Sequence, residues 1–214
     1  FLSGSFDRTA LRSPYPILSF QGIFGFKDVF GSDYNYQKLE FQMDHHRLIG
    51  VFGRIRYGVN AGYVFGTAAY PFLKVHEGNQ SYWLLTSTFN MLNFFEFVSD
   101  RYVGAYIENH WEGLFFDRIP LIKKLKWRLV TTGRITYGAI SDRHINEMLL
   151  PDFTKQFGKI PYAEAAIGIE NIVKVVRVDL VWRLTHNAPQ LPNQSSFEYR
   201  LQSLGIRARF SLNF

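Results

Sequence analysis

The sequence predicts an all-β fold: a transmembrane antiparallel up-and-down β-barrel. Three observations carry this reading. Segments of about ten residues alternate apolar and polar side chains, the length and period of a tilted strand crossing a bilayer, whereas soluble strands run nearer five or six residues. The polar faces carry Arg, Glu, Asp and His in mid-strand, and the apolar faces end in Trp or Tyr. Long and short links alternate between the segments, as they do in outer-membrane barrels. A soluble sandwich or lipocalin-like barrel shares the period, but a sandwich would set the mid-strand charges in bulk solvent.

Eight segments follow the pattern. The first runs from Leu18 to Phe26 and the second from Leu39 to Met43. In VFGRIRYGVNAGYVF, Val51, Ile55, Tyr57, Val59 and Tyr63 share one face, and Arg54, Arg56 and Asn60 the other. RYVGAYIENHWEG sets Val103, Ala105, Ile107 and Trp111 against Tyr102, Tyr106, Glu108, His110 and Glu112. KWRLVTTGRITYGA sets Trp127, Leu129, Ile135 and Tyr137 against Arg128, Thr132, Arg134 and Thr136. The sixth segment spans Ala163 to Ile169; the seventh, VVRVDLVWRL, opposes Val176, Val178, Leu180, Trp182 and Leu184 to Arg177, Asp179 and Arg183. The last, GIRARFSLNF, puts Ile206, Ala208, Phe210, Leu212 and Phe214 on one face, with Arg207, Arg209, Ser211 and Asn213 opposite. Counting back from the C-terminus, the links are THNAPQLPNQSS (long), ENIVK (short), Ser141 to Pro161 (long), Glu112 to Lys124 (intermediate), Gly66 to Asn93 (very long) and HHRLIG (short). With Phe214 at the periplasmic side, every long link lies outside. The short external link KDVFGSD and the long turn from Glu112 depart from the pattern.

Composition bounds the rest. The 214 residues hold no cysteine, a hydrophobic fraction of 47%, a net charge of +6, and 21 Phe, 12 Tyr and 4 Trp. Disulfide frameworks and thiolate metal sites are excluded, and rings at this density suit a membrane boundary. No apolar run reaches the roughly 18 to 20 residues of a spanning helix. The arginines are spaced singly between apolar residues, which argues against nucleic acid as a partner. FLSGSFDRTA has neither an initiator Met nor the plan of a signal peptide, so residues 1–214 read as one barrel domain, processed or forming the C-terminal part of a longer chain.

Glu108, His110 and Glu112 line up along one strip, a spacing that could hold a divalent metal or relay a proton. They face strands carrying Arg54, Arg56, Arg128 and Arg134, and with Arg177, Asp179 and Arg183 they read as a luminal charge network. His45 and His46 are adjacent, point to opposite faces and fall at a periplasmic turn. Ser141, Asp142 and His144 share a loop in which no spacing singles out a catalytic triad. No catalytic residue, metal site or cofactor is assigned. The link from Gly66 to Asn93 is too long to be idle. It is expected to fold over or into the barrel mouth, or onto a partner, burying Tyr70, Phe72, Tyr82 and Trp83, with Lys74, His76 and Glu77 meeting luminal charges such as Glu108 or Arg134.

FFEFVSDRYVGAYIENHWEGLFFDRIPLIKKLKWR resembles a family of outer-membrane proteins of Bacteroidota that carry an N-terminal carboxypeptidase-regulatory-like domain ahead of a C-terminal barrel. The likeness extends through YPFLKVHEGNQSY, YAEAAIGIENI and VRVDLVWRL. That family is distantly similar to the assembly-factor superfamily of barrels, which includes BamA and the two-partner secretion transporters. Those barrels have sixteen strands, and the loop before the fifth strand from the C-terminus enters the lumen. Here the longest link precedes the fifth strand counted back, starting near Phe95, although HEGNQSY stands where the superfamily has an Arg-Gly-aromatic tip. The resemblance implies the C-terminal half of a barrel of about sixteen strands, whose partner strands come first. It implies a Gram-negative outer-membrane anchor or subunit of an envelope assembly or export complex, without catalysis. Its partners would be outer-membrane lipid, other envelope proteins and the assembly machinery that reads the terminal strand Ile206, Ala208, Phe210, Leu212 and Phe214 as a signal. A self-contained eight-stranded barrel and a barrel-embedded hydrolase are the alternatives.

Overall fold

Alternation at period two, with β-branched and aromatic residues at the apolar positions, favours extended strands that pair with their neighbours. The computed structural model describes residues 2–3, 7–8, 14–29, 33–147, 150–189, 192 and 195–210. Its strands are β1 (Ile17–Gly25), β2 (Tyr36–Leu48), β3 (Arg54–Gly66), β4 (Arg101–Trp111), β5 (Arg128–Ala139), β6 (Tyr162–Ile172), β7 (Val176–Arg183) and β8 (Leu204–Phe210). They form one eight-stranded antiparallel sheet in which each strand pairs with its neighbours in the chain. Among the described residues β1 and β8 do not pair, so the all-β meander is open and not closed into a barrel.

The register carries one face across the whole sheet. Leu18, Met43, Val59, Ala105, Ile135 and Ala163 stand side by side from β1 to β6. Trp111, Leu129, Ile169, Val178 and Ala208 do so from β4 to β8. A slip of one residue in any pair would break this band, because it exchanges the two faces of a strand. Burial is inverted relative to a soluble sheet. Phe20 is 80% exposed and Ile107 48%, while Glu108 is 6% exposed and Asp179 1%.

Two small apolar clusters lie at the end of the sheet that bears the long links. One gathers Tyr36, Val64, Ala68, Leu73 and Val98; the other gathers Leu92, Phe97, Phe157 and Tyr162. Both pack the segment between β3 and β4 onto the sheet.

Several boundaries differ from those the alternation suggests. β2 continues through His45 and His46, which pair with Tyr57 and Arg56 in the ladder and so do not form a turn. Val51 belongs to a 3-10 turn, Gly50–Phe52, and β3 starts at Arg54. The fifth strand from the end begins at Arg101 and not near Phe95, because Val98–Ser99 pairs instead with Lys74–Val75. The long turn after β4 contains a 3-10 turn, Phe116–Arg118, and helix α1 (Pro120–Leu125), which ends where Lys126 turns left-handed at φ 55. Two of the long links hold helices α2 (Asp142–Glu147) and α3 (Ser196–Gln202), the latter started by a capping box between Ser195 and Glu198. Of the residues expected to form a terminal signal, Ile206, Ala208 and Phe210 share the apolar face of β8; Leu212 and Phe214 lie outside the described residues.

Candidate functional site

The polar face of the sheet is crossed by the segment between β3 and β4, and the charged side chains of the strands hold that segment. Its base is closed by the pairing of Lys74–Val75 with Val98–Ser99 and by the His76 N–H, which donates to the Phe97 carbonyl at 3.0 Å. Farther along, the Asn79 N–H reaches the Leu92 carbonyl at 3.0 Å, and the Asn79 side chain donates to Asn90 Oδ1 at 2.9 Å.

The dipeptide Asn90-Met91 is clamped on all four of its backbone groups. The Asn90 and Met91 N–H groups donate to Glu164 Oε1 and Oε2 at 2.8 and 3.1 Å. Arg207 Nε donates to the Asn90 carbonyl at 3.0 Å and Arg183 Nη1 to that of Met91 at 3.2 Å. Glu164, Arg183 and Arg207 come from β6, β7 and β8, so three neighbouring strands grip one peptide. Arg183 also makes a two-point pair with Glu96, which Lys155 joins at 2.9 Å. Burial pushes the Glu96 carboxyl up, but Arg183, Lys155 and the Asn93 N–H outweigh it and hold the group down at about 2.

Past Asn79 the segment reaches the edge of the sheet. The Leu84 N–H donates to the Ala208 carbonyl at 2.7 Å and the Ala208 N–H to the Tyr82 carbonyl at 3.0 Å, a parallel bridge onto β8. Paired residues share a face, so Trp83 emerges on the apolar side with Ala208 and meets the Phe210 ring edge-on at 5.4 Å. This corrects the expected burial of the loop aromatics. Trp83 is 54% and Tyr82 86% exposed, because the pairing turns Trp83 outward. Phe72 is 41% exposed but packs against the Tyr36 ring at 4.8 Å, and Tyr70 packs at the edge of the first apolar cluster.

Lys74, His76 and Glu77 meet partners other than those expected. Lys74 pairs with Glu77 at 3.2 Å and lies over the Tyr102 ring. His76 bonds Ser99 Oγ and Thr136 Oγ1 at 3.0 and 3.2 Å. Burial, with the Lys74 charge near, drives its ring down to about 3. Arg134 donates to the Thr86 carbonyl, and Glu108 binds other strands.

The polar-face residues expected to form one charge network divide into groups. Glu108 links His110 at 3.0 Å and Arg177 at 3.2 Å; Arg177 also binds Asp179 at 2.6 Å, and His110 binds Glu170 at 2.9 Å. A Cβ at Gly168 would lie 2.1 Å from Asp179 Oδ1, so only glycine leaves room for this pair. Glu112 is separate from that chain and meets Arg54 at 3.1 Å and Arg128 at 3.9 Å. Arg56 stands near the Tyr106 ring, whose hydroxyl donates to Asp44. No group of three or more His, Asp or Glu able to hold a metal occurs among the described residues.

One cluster looks like hydrolase machinery. Ser141 Oγ donates to Asp100 Oδ2, and His144 Nδ1 lies 3.0 Å from the same oxygen. But His144 Nε2, the nitrogen that a catalytic serine would address, accepts the Ala68 N–H at 3.2 Å, and the ring is fully buried. The cluster ties α2, the start of β4 and the link after β3 together; it has no free base. The alternation gives no sign of Asp100, which precedes a strand. Glu164 could have been suspected, as the one acid among small residues in YAEAAIG on the polar face.

No curated protein and no solved structure matches the chain. Residues 5–146 match the C-terminal domain of a family of unknown function (DUF5686). The match takes in YPFLKVHEGNQSY and the strands through β5, and it ends before YAEAAIGIENI and VRVDLVWRL. It covers well over half of the chain, which therefore belongs to that family.

Proposed function

We propose that the sheet is the wall of a transmembrane β-barrel in the bacterial outer membrane, with the C-terminus at the periplasmic side and the segment after β3 as its internal plug. On this reading the protein is a non-catalytic anchor or subunit of an envelope assembly or export complex, distantly BamA-like. Lipid, the barrel assembly machinery and other envelope proteins are its partners. The observation that carries it is the inverted burial: a largely apolar band outside, interrupted at Asn109 and Thr131, and a charged, hydrogen-bonded face inside. Water penalises such an outer face, whereas hydrocarbon accepts it. A lumen held by Glu96, Glu164, Arg183 and Arg207 suits a scaffold better than a conducting pore.

The test replaces Leu180, on the apolar face of β7 beside Ile167 and Ile206, by Arg. Near a bilayer midplane the change should cost about 2 to 4 kcal/mol; on a face bathed in water it should cost almost nothing. Denaturant unfolding of the reconstituted protein measures it, and a midpoint unchanged from wild type would defeat the membrane assignment. Asp179→Asn is no mild control for this test, because Asp179 is buried in a two-point pair with Arg177.

A further inference from the structure

Three well-covered arginines stand on the polar face, and two of them are matched by carboxylates: Arg177 by Glu108 and Asp179, Arg183 by Glu96. The third, Arg134, is 8% exposed and makes no salt bridge among the described residues. Glu164 lies directly opposite it in the β5–β6 ladder, yet both Glu164 oxygens are spent on the clamp of Asn90 and Met91. Arg134 keeps one hydrogen bond, from Nη2 to the Thr86 carbonyl, and a ring contact with Tyr106 at 5.4 Å; its Nε is buried without a partner. A guanidinium offers five N–H donors; Glu164 and Glu108 lie near enough to act on the Arg134 charge, but its buried Nε donor is left without an acceptor, which is costly.

Arg134 lines a half-open cavity of about 260 Å³ between β2–β5 and the crossing segment. That is room for several waters at ~30 Å³ each. Arg56 lies at its exposed side, 5.6 Å from the same Tyr106 ring, and it too has no carboxylate within salt-bridge distance among the described residues. Of the other charges on the wall, Lys74 is paired with Glu77, and Asp44 accepts from the Tyr106 hydroxyl and from Gln42. The wall thus counts Arg56, Arg134 and Lys74 against Asp44 and Glu77, an excess of one positive charge.

We propose that this cavity is a binding site for a phosphate group, with Arg134 as its buried anchor and Arg56 at its mouth. Arg56 on β3 and Arg134 on β5 both lie against the Tyr106 ring of β4, and a near-dianionic tetrahedral oxyanion has oxygens enough for both guanidiniums; a carboxylate would be served by one. Thr136 and neutral His76 supply further polar lining. The site stands on the sheet and the crossing segment alone and does not depend on insertion into a membrane.

Calorimetric titration of the intact protein in a phosphate-free maltoside, with inorganic phosphate against sodium chloride at equal ionic strength, tests it. The expected result is saturable binding near one phosphate per chain, weakened at least tenfold in Arg134→Gln and several-fold in Arg56→Gln. Arg56 is exposed and in no salt bridge among the described residues, so its variant keeps the test valid if Arg134→Gln fails to fold. Parallel titrations with glycerol phosphate and with a short-chain phosphatidic acid identify the source: tighter binding of the first assigns a soluble phosphate ester, of the second a lipid headgroup. Heat no greater than with chloride, or binding undiminished in the variants, would overturn the site.

Discussion

The clamp on Asn90-Met91 makes a quantitative claim about Glu164→Gln. Glutamine keeps the shape of the side chain but offers one carbonyl oxygen where Glu164 presents two, and its NH2 would face an N–H. One of the bonds at 2.8 and 3.1 Å is therefore lost, leaving a buried donor unsatisfied at about 1 to 3 kcal/mol. The surviving bond loses its charge assistance, about 1 kcal/mol more. A total of about 3 kcal/mol corresponds to roughly a 150-fold larger population in which the crossing segment has left the sheet. The strand ladders do not involve this side chain, so opening should be local. Trypsin reads it: where opening and closing are fast, cleavage beside Lys74 follows the open population. Cleavage should accelerate about a hundredfold with the circular dichroism of the sheet unchanged, while Gln80→Ala, at an exposed position, should leave the rate alone. A rate within threefold of wild type in Glu164→Gln, with the protein folded, would show that the clamp does not hold the segment down.

His76 stays neutral in the fold until about pH 3, whereas the unfolded chain takes up its proton below about 6.5. Its contribution is therefore complete above 6.5 and is lost as pH falls, by roughly 1.36 kcal/mol per unit, or about 2 kcal/mol at pH 5. Denaturant midpoints at pH 7 and 5 should show this difference, and His76→Gln should remove most of it; an equal pH dependence in the variant refutes the assignment. Glu96, held at about 2, adds a separate loss only below about pH 4.5. Phe97, fully buried and stacked on Phe157 at 4.1 Å, should cost about 3 to 5 kcal/mol on truncation to alanine, measured by the same unfolding. A loss under 1 kcal/mol would mean that the crossing segment is not packed.

The strands were legible because period two is a local property: each of Val103, Ala105 and Ile107 announces its face without reference to any other strand. The same rule placed Glu108, Arg134 and Arg177 on the polar face. It could not say which charges would meet, since that depends on register and on who competes. Glu112 falls in line with Glu108 and His110 but is drawn to Arg54 and Arg128, and Glu170 from another strand takes the place beside His110. The crossing segment was legible by its length and aromatic content, but its path was not. Trp83 looks like a residue to be buried; two backbone hydrogen bonds to Ala208 decide otherwise. Asp100, Glu164 and Arg207 act through main-chain groups distant in sequence, and no periodicity records such bonds.

The two edges of the sheet are unlike, and the difference bears on the proposed barrel. At β8 the Ile206 carbonyl accepts from Arg207 Nη1 at 3.1 Å, and both backbone groups of Ala208 are taken by Tyr82 and Leu84. A strand arriving there must first displace the crossing segment, together with the contact of Trp83 on Phe210. At β1 no strand lies along the outer edge among the described residues, although Phe20 and Phe24 stand fully in the apolar band. Unpaired backbone groups are costly in hydrocarbon, and a long apolar edge in water recruits other strands. In either medium β1 is the edge that needs a partner. A larger barrel would grow from β1, and the crossing segment would be the element that any closing strand meets at β8.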